Sequence, residues 1–154
     1  MNEFIIKPAS FDEREIEQIQ EAVNDFYFLP KRSIVEQILK KKIYVAIKDK
    51  TLLGLLHFGY NKKKSLYKIL MLYVKKQYRN QGVGTALWKY FLEKANPEPI
   101  NVIALATAAD DGQKHNSLGF WLKIGFKDIG IGIETKRKNK MRYLIYSNVK
   151  RNNS

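Results

Sequence analysis

The chain has 154 residues, 45% of them hydrophobic, which suits one globular domain with a buried core. It has no cysteine, which excludes disulfides, thiolate metal sites and a cysteine nucleophile. Its 28 Lys and Arg outweigh 15 Asp and Glu, and the formal charge of +13 favours anionic partners without naming one.

Residues 3–8 alternate loosely up to Pro8 and predict a first strand. Ser10 and Glu13 form a Ser-x-x-Glu capping box ahead of Ile16, Ile19, Val23 and Phe26, whose spacing predicts an amphipathic helix ending towards Pro30. Ser33 and Glu36 repeat the box, and Ile34, Ile38 and Leu39 supply the stripe of a second short helix. Three strands follow, over 43–47, 52–60 and 67–74. Tight turns at Asp49-Lys50 and Lys62-Lys63-Lys64 predict an antiparallel meander.

A polar, glycine-bearing stretch then leads to a helix over 84–94, marked by Leu87, Trp88, Phe91 and Leu92 and closed by Pro97 and Pro99. The next strand, 102–106, is expected to run parallel to 67–74, because a crossover helix joins them. Leu118, Trp121 and Leu122 form a last helical stripe, ended by Gly125. Strands over 126–134 and 141–146 flank a basic turn with Lys136, Arg137, Lys138, Lys140 and Arg142, either a solvated face or a binding surface. The expected fold class is α/β: a mixed sheet of six or seven strands with helices on both faces, in a single domain over 1–154.

Chemistry concentrates in 72–87. A buried strand, Leu72-Tyr73-Val74, feeds a loop with Gly82 and Gly84, and the loop opens a helix. Glycine permits left-handed dihedrals and close backbone approach. Free N–H groups and the dipole at a helix start attract an anion, and Arg79 can add charge-assisted hydrogen bonds. The arrangement suits a diphosphate, although an ordinary tight turn would use the same glycines. Gly82-x-Gly84 lacks the third glycine of a dinucleotide fingerprint, and there is no Gly-Lys-Ser/Thr of an ATPase phosphate loop.

Arg79-x-x-Gly82-x-Gly84, with an apolar strand before it and Leu87 after it, resembles the acyl-CoA-binding motif of the GNAT superfamily of N-acetyltransferases. Phe120-Trp121-Leu122-Lys123-Ile124-Gly125-Phe126 resembles that superfamily's late helix, which ends in Gly-Phe before a strand. The resemblance implies a GNAT-like sheet, splayed between the strands on either side of the first motif, with acetyl-CoA in the opening. It implies that Arg79, Asn80, Gln81, Gly82, Val83 and Gly84 present backbone N–H groups to the pyrophosphate and that Thr85 adds its hydroxyl. It implies that Leu72, Tyr73 and Val74 pair with the pantetheine arm through their backbone. Lys76 stands where the superfamily often has proline.

The catalytic expectations come from departures. Relatives commonly have a tyrosine acid where this chain has Trp121, and indole cannot donate a proton as a phenol does. Strand 67–74 lacks the glutamate by which many relatives deprotonate the amine. His57, on the neighbouring strand and with an unperturbed pKa of about 6.5, is the expected base; a half-buried structural histidine is the alternative. Asp110, Asp111, Glu21 and Glu36 are further candidates to meet the amine, and His115 reads as a surface residue near the late helix. No metal motif is present, so no metal is expected.

The resemblance thus implies direct transfer of an acetyl group from acetyl-CoA to a primary amine of an unidentified acceptor. Two alternatives stand beside it. One is a non-catalytic acyl-CoA-binding regulatory module. The other is a nucleic-acid-associated basic domain, although no helix-turn-helix or zinc signature supports it. Met1-Asn2-Glu3-Phe4 lacks a signal pattern, and no run reaches the roughly 18 apolar residues of a membrane span. A cytoplasmic protein, monomeric or homodimeric and without a membrane partner, is expected.

Overall fold

The computed structural model describes residues 3–25, 29–95, 100–107, 118–134 and 139–148, with side chains at 105–107, 131–134, 139–141 and 148 left aside. Its elements are β1 Ile5–Pro8, α1 Glu13–Asn24, α2 Lys31–Leu39, β2 Ile43–Lys48, β3 Thr51–Asn61, β4 Leu66–Val74, α3 Val83–Lys94, β5 Ile100–Thr107, α4 Leu118–Lys123, β6 Lys127–Glu134 and β7 Asn139–Asn148. Seven strands form one sheet in the order β1-β2-β3-β4-β5-β7-β6, flanked by helices. β4 and β5 pair in parallel at Tyr67↔Val102 and Lys68↔Ile103, as their crossover through α3 requires. The β1–β2, β2–β3, β5–β7 and β6–β7 ladders are antiparallel. The last hairpin therefore turns inward, with β7 beside β5 and β6 outside it.

The chain forms two compact units, Met1–Phe58 with Leu70–Ala95, and Gly59–Ile69 with Asn96–Ser154. In the first, β2 and β3 are covered on both sides. Ile43, Val45 and Ile47 of β2, Leu52 and Leu55 of β3 and Met71 of β4 share a core with Ile16, Ile19 and Val23 of α1 and Ile34 and Ile38 of α2. Alternate residues look towards α3. The Tyr44 ring lies 5.2 Å from Phe58 and 4.9 Å from Tyr90, and Phe58 lies 5.0 Å from Phe91. Successive strand side chains point to opposite faces, so a strand buried on both faces reads as a continuous apolar run. In the second unit Val102, Ala104 and Leu144 are buried in the β5–β7 ladder.

Both expected capping boxes are corrected. α1 starts after Asp12, whose carboxylate accepts the Glu15 N–H at 2.9 Å. The acid that reaches back is Glu15, not Glu13. Its Oε2 accepts the Ser10 N–H and, at 2.9 Å, the Ser10 hydroxyl, while Oε1 accepts from Lys7 Nζ at 2.7 Å. These partners explain how a carboxylate can be buried there. α2 starts after Pro30 with no side-chain cap, which leaves Ser33 and Glu36 inside the helix. Leu39, at its last position, is 63% exposed and lies off the apolar stripe. Phe26 falls outside the described residues.

Phe91 is fully buried, with its ring 5.5 Å from Trp88 as well as against Phe58. Phe91→Ala is expected to cost about 3–5 kcal/mol through lost transfer energy and the cavity left behind. Leu39→Ala should stay within about 0.5 kcal/mol. Denaturant midpoints at constant slope measure both, and similar losses for the two would contradict the packing described.

Candidate functional site

The junction of β4 with α3 carries the site. β4 ends at Val74, a 3-10 turn covers Lys76–Tyr78, and α3 begins at Val83, one residue earlier than expected. Gly82 is the N-cap of α3, left-handed at φ 84, ψ 5, and makes no side-chain cap. Asn80 is left-handed too, at φ 63. The first helical bond runs from the Ala86 N–H to the Gly82 carbonyl at 3.0 Å. The N–H groups of Val83, Gly84 and Thr85 precede that bond, so the helix supplies them with no acceptor. No acidic residue occupies the first turn. The positive end of the helix thus has neither a side-chain cap nor an acidic residue to offset it, and the loop before it holds two left-handed residues, Asn80 and Gly82. A Cβ on Gly82 would meet no atom within 4 Å, so its dihedral, rather than crowding by the protein, calls for glycine.

The expected donor Arg79 is partly buried. Its N–H points to the Lys76 carbonyl at 3.4 Å, and its Nε–H donates to the Val74 carbonyl at 2.9 Å. Tyr73 packs partly buried against the α1–α2 core. Its phenol pKa is raised first by burial and next by the Asp25 charge, with Arg79 opposing. Gly54, in mid-β3, escaped the sequence argument. A Cβ there would lie 2.5 Å from the Tyr73 carbonyl oxygen. A lone glycine inside a strand pattern is the signal that could have revealed it.

His57 points to the α1–α2 face, opposite Ile43 in the β2–β3 ladder. It is 5% exposed, not half-buried. Nε2 lies 3.1 Å from Gln37 Oε1, an oxygen that only accepts, which assigns the proton to Nε2. Nδ1 is buried with no partner among the described residues. Burial lowers the pKa from 6.5 to about 4. The premise of a histidine titrating near neutral pH is therefore corrected: the ring is neutral at pH 7 because the charged form cannot be solvated there.

Trp121 is buried in the second unit. α4 closes with Gly125 at φ 111, the Gly125 N–H donating to the Leu122 carbonyl at 3.2 Å and the Phe126 N–H to the Trp121 carbonyl at 3.0 Å. This is a Schellman closure, and its usual apolar contact is present as the Trp121 and Phe126 rings, 4.9 Å apart. Phe120 packs edge-on against Trp121 at 5.3 Å, whereas Leu122 is exposed, off the expected stripe. Glu21 and Glu36 are exposed on α1 and α2. Asp110, Asp111 and His115 lie outside the described residues, as do Lys136, Arg137 and Lys138. Arg142 of the basic group pairs with Asp128 at 2.7 Å. Among the described residues no group of three or more acids or histidines could hold a metal ion, and no helix is long and apolar enough to cross a membrane.

Residues 11–144 match the family model of the acetyltransferase (GNAT) domain. No curated protein matches the chain in sequence. Solved structures match it in fold. Ard1 from Thermoplasma volcanium is 16% identical at a TM-score of 0.76, with 96% of this chain and 99% of that one covered. Naa50 from Arabidopsis thaliana, in complex with the bisubstrate analogue CoA-Ac-MVNAL, is 15% identical at 0.74, covering 94% and 99%. Aminoglycoside 6′-N-acetyltransferase from Enterococcus faecium is 14% identical at 0.74, covering 96% and 98%.

The His57 shift fixes a pH dependence of stability. Its folded pKa, about 4, lies below the unfolded 6.5. The stabilising contribution is complete above pH 6.5. As pH falls towards 4, the unfolded chain binds a proton that the folded chain refuses, and about 3 kcal/mol is lost. Urea midpoints at pH 7.5, 6 and 5 should therefore fall in the wild type and fall less steeply in His57→Gln. Parallel curves for the two proteins would remove His57 as the source.

Proposed function

The chain belongs to the acetyltransferase (GNAT) domain family, and on that premise we propose that it transfers an acetyl group from acetyl-CoA directly to a primary amine. The observation that carries the proposal is the uncapped start of α3 at left-handed Gly82, on the loop that follows β4. An anion of two phosphates suits the N–H groups of Val83, Gly84 and Thr85, with Asn80 and Gln81 beside them and the Thr85 hydroxyl as a further donor. The backbone of Leu72, Tyr73 and Val74 is proposed to pair with the pantetheine arm.

In the transfer, the amine nitrogen attacks the thioester carbonyl carbon. A C–N bond forms, the C–S bond breaks with its electron pair going to sulfur, and the nitrogen gives up a proton. A thiol pKa of about 8.5 makes the thiolate a tolerable leaving group without an acid. That fits Trp121, which has no acidic proton to give and is packed into the α4 closure. For the amine proton we assign Asp110. His57 is neutral, enclosed and tied to Gln37, so its part is to hold β3 to α2. The pH profile of kcat/KM separates them: Asp110→Asn should abolish the acidic limb while His57→Gln retains it, and the reverse result would restore His57 as the base. The analogue bound to Naa50 contains a peptide and the Enterococcus faecium enzyme is named for an aminoglycoside, so a test of acceptors has to span both classes.

The proposal is tested by thiol release from acetyl-CoA with peptides, polyamines and aminoglycosides, beside calorimetry with CoA. Micromolar binding and release with at least one amine are expected. Gly82→Val should weaken CoA binding by about tenfold or more, since a β-branched residue resists the left-handed dihedral that aims the loop. Binding without release across the panel would favour the regulatory module. Equal CoA binding by Gly82→Val would show that the α3 start is not the site.

A further inference from the structure

The end of β4 is held from two sides by groups that take no part in the transfer itself. On the β3 side, the β2–β3 register shifts between Ala46 and Ile47: Ala46 faces Gly54 and Ile47 faces Leu52, which leaves Leu53 as an extra residue. The Leu53 carbonyl accepts the Lys75 N–H at 2.8 Å, just past the strand end. Gly54 lies next to it. Its φ is not positive, so conformational freedom does not explain the glycine. Space does. A Cβ would stand 2.5 Å from the Tyr73 carbonyl oxygen and 3.3 Å from Val74 Cα, both backbone atoms. Any side chain at 54 has to push the end of β4 away.

On the loop side, the Arg79 Nε–H donates to the Val74 carbonyl at 2.9 Å. A bond from a charged donor is shorter and stronger than a neutral one, and the flat guanidinium fixes its direction. The arginine stands three residues before Gly82, on the loop that leads to the open start of α3. It therefore ties that loop to the last residue of the strand.

We propose that Arg79 and Gly54 are positioning residues: Arg79 clamps the end of β4 to the loop before α3, and Gly54 supplies the clearance that lets β4 end there. The inference rests on acetyl-CoA as the ligand. Its diphosphate and its pantetheine arm are joined covalently, so the loop and the strand end have to keep one spacing to hold both. The clamp sets that spacing. A ligand that uses only the loop is indifferent to it.

Calorimetry on wild type, Arg79→Lys and Gly54→Ala, with two ligands, tests the clamp. One ligand is CoA. The other is 3′-phosphoadenosine 5′-diphosphate, which has the nucleoside and both phosphates but no pantetheine arm. Each variant should bind CoA about tenfold or more weakly and bind the fragment within about threefold of wild type. Lysine keeps the charge but not the fork, so equal weakening of both ligands by Arg79→Lys would make Arg79 a phosphate ligand and overturn the clamp. Unchanged CoA affinity in Gly54→Ala would overturn the clearance. Thermal unfolding shows whether Gly54→Ala folds; if it does not, the ligand split in Arg79→Lys decides. Wild type that binds neither ligand would remove the acetyl-CoA premise itself, whereas wild-type binding without a split in the variants overturns the clamp alone.

Discussion

β2 and β3 are apolar on both faces, and most of the first unit follows from that. Val45, Ala46, Leu52, Leu55 and Leu56 have no measurable exposure, and such strands need a layer on each side. α1 and α2 supply one layer and α3 the other. With α3 on the far face, the chain leaving β4 reaches it through residues 75–82, which include the 3-10 turn. The proposed anion site sits where covering the sheet puts a helix start, and that start has no side-chain cap.

Two glycines show how one backbone freedom serves opposite ends. Gly125 closes α4: its left-handed turn brings N–H groups back onto the Leu122 and Trp121 carbonyls and joins Trp121 to Phe126. Gly82 opens α3: its left-handed turn places three N–H groups ahead of the first helical bond. The first satisfies orphan groups within the protein. The second leaves them without a helical acceptor. Sequence spacing identifies both positions, yet it does not tell a closed end from an open one, because that depends on where the neighbouring donors and acceptors go.

Buried polar groups mark the boundary of what a local pattern can convey. Glu15 is buried where Lys7 and Ser10 donate to its side-chain oxygens. His57 is buried as a neutral ring with one bond to Gln37. The sequence pattern pointed to Glu13 rather than Glu15 as the capping acid, and to His57 as a titrating base. Charge state follows from partners and solvent access, and both are set by contacts with β1 and α2. Arg79 makes a related point: nothing in the glycine motif shows that its Nε–H meets the Val74 carbonyl.

The sequence by itself determined the order and type of the elements, the crossover between β4 and β5 and the glycines that open α3 and close α4. These depend on local periodicity and on dihedrals that a residue carries with it wherever it sits. The family was legible separately, through the resemblance of the glycine loop and the Gly-Phe helix end to GNAT motifs. Tertiary structure decided the rest. It decided which of Asp12, Ser10 and Glu15 cap α1, that β7 lies inside β6, that His57 is buried and neutral, and that Gly54 is needed for room. Each of these depends on atoms brought together from distant parts of the chain. Gly54 and Tyr73 are 19 residues apart in sequence, yet an added Cβ would stand 2.5 Å from the Tyr73 oxygen. No pattern within either strand records that distance, because it exists only once the two strands are paired.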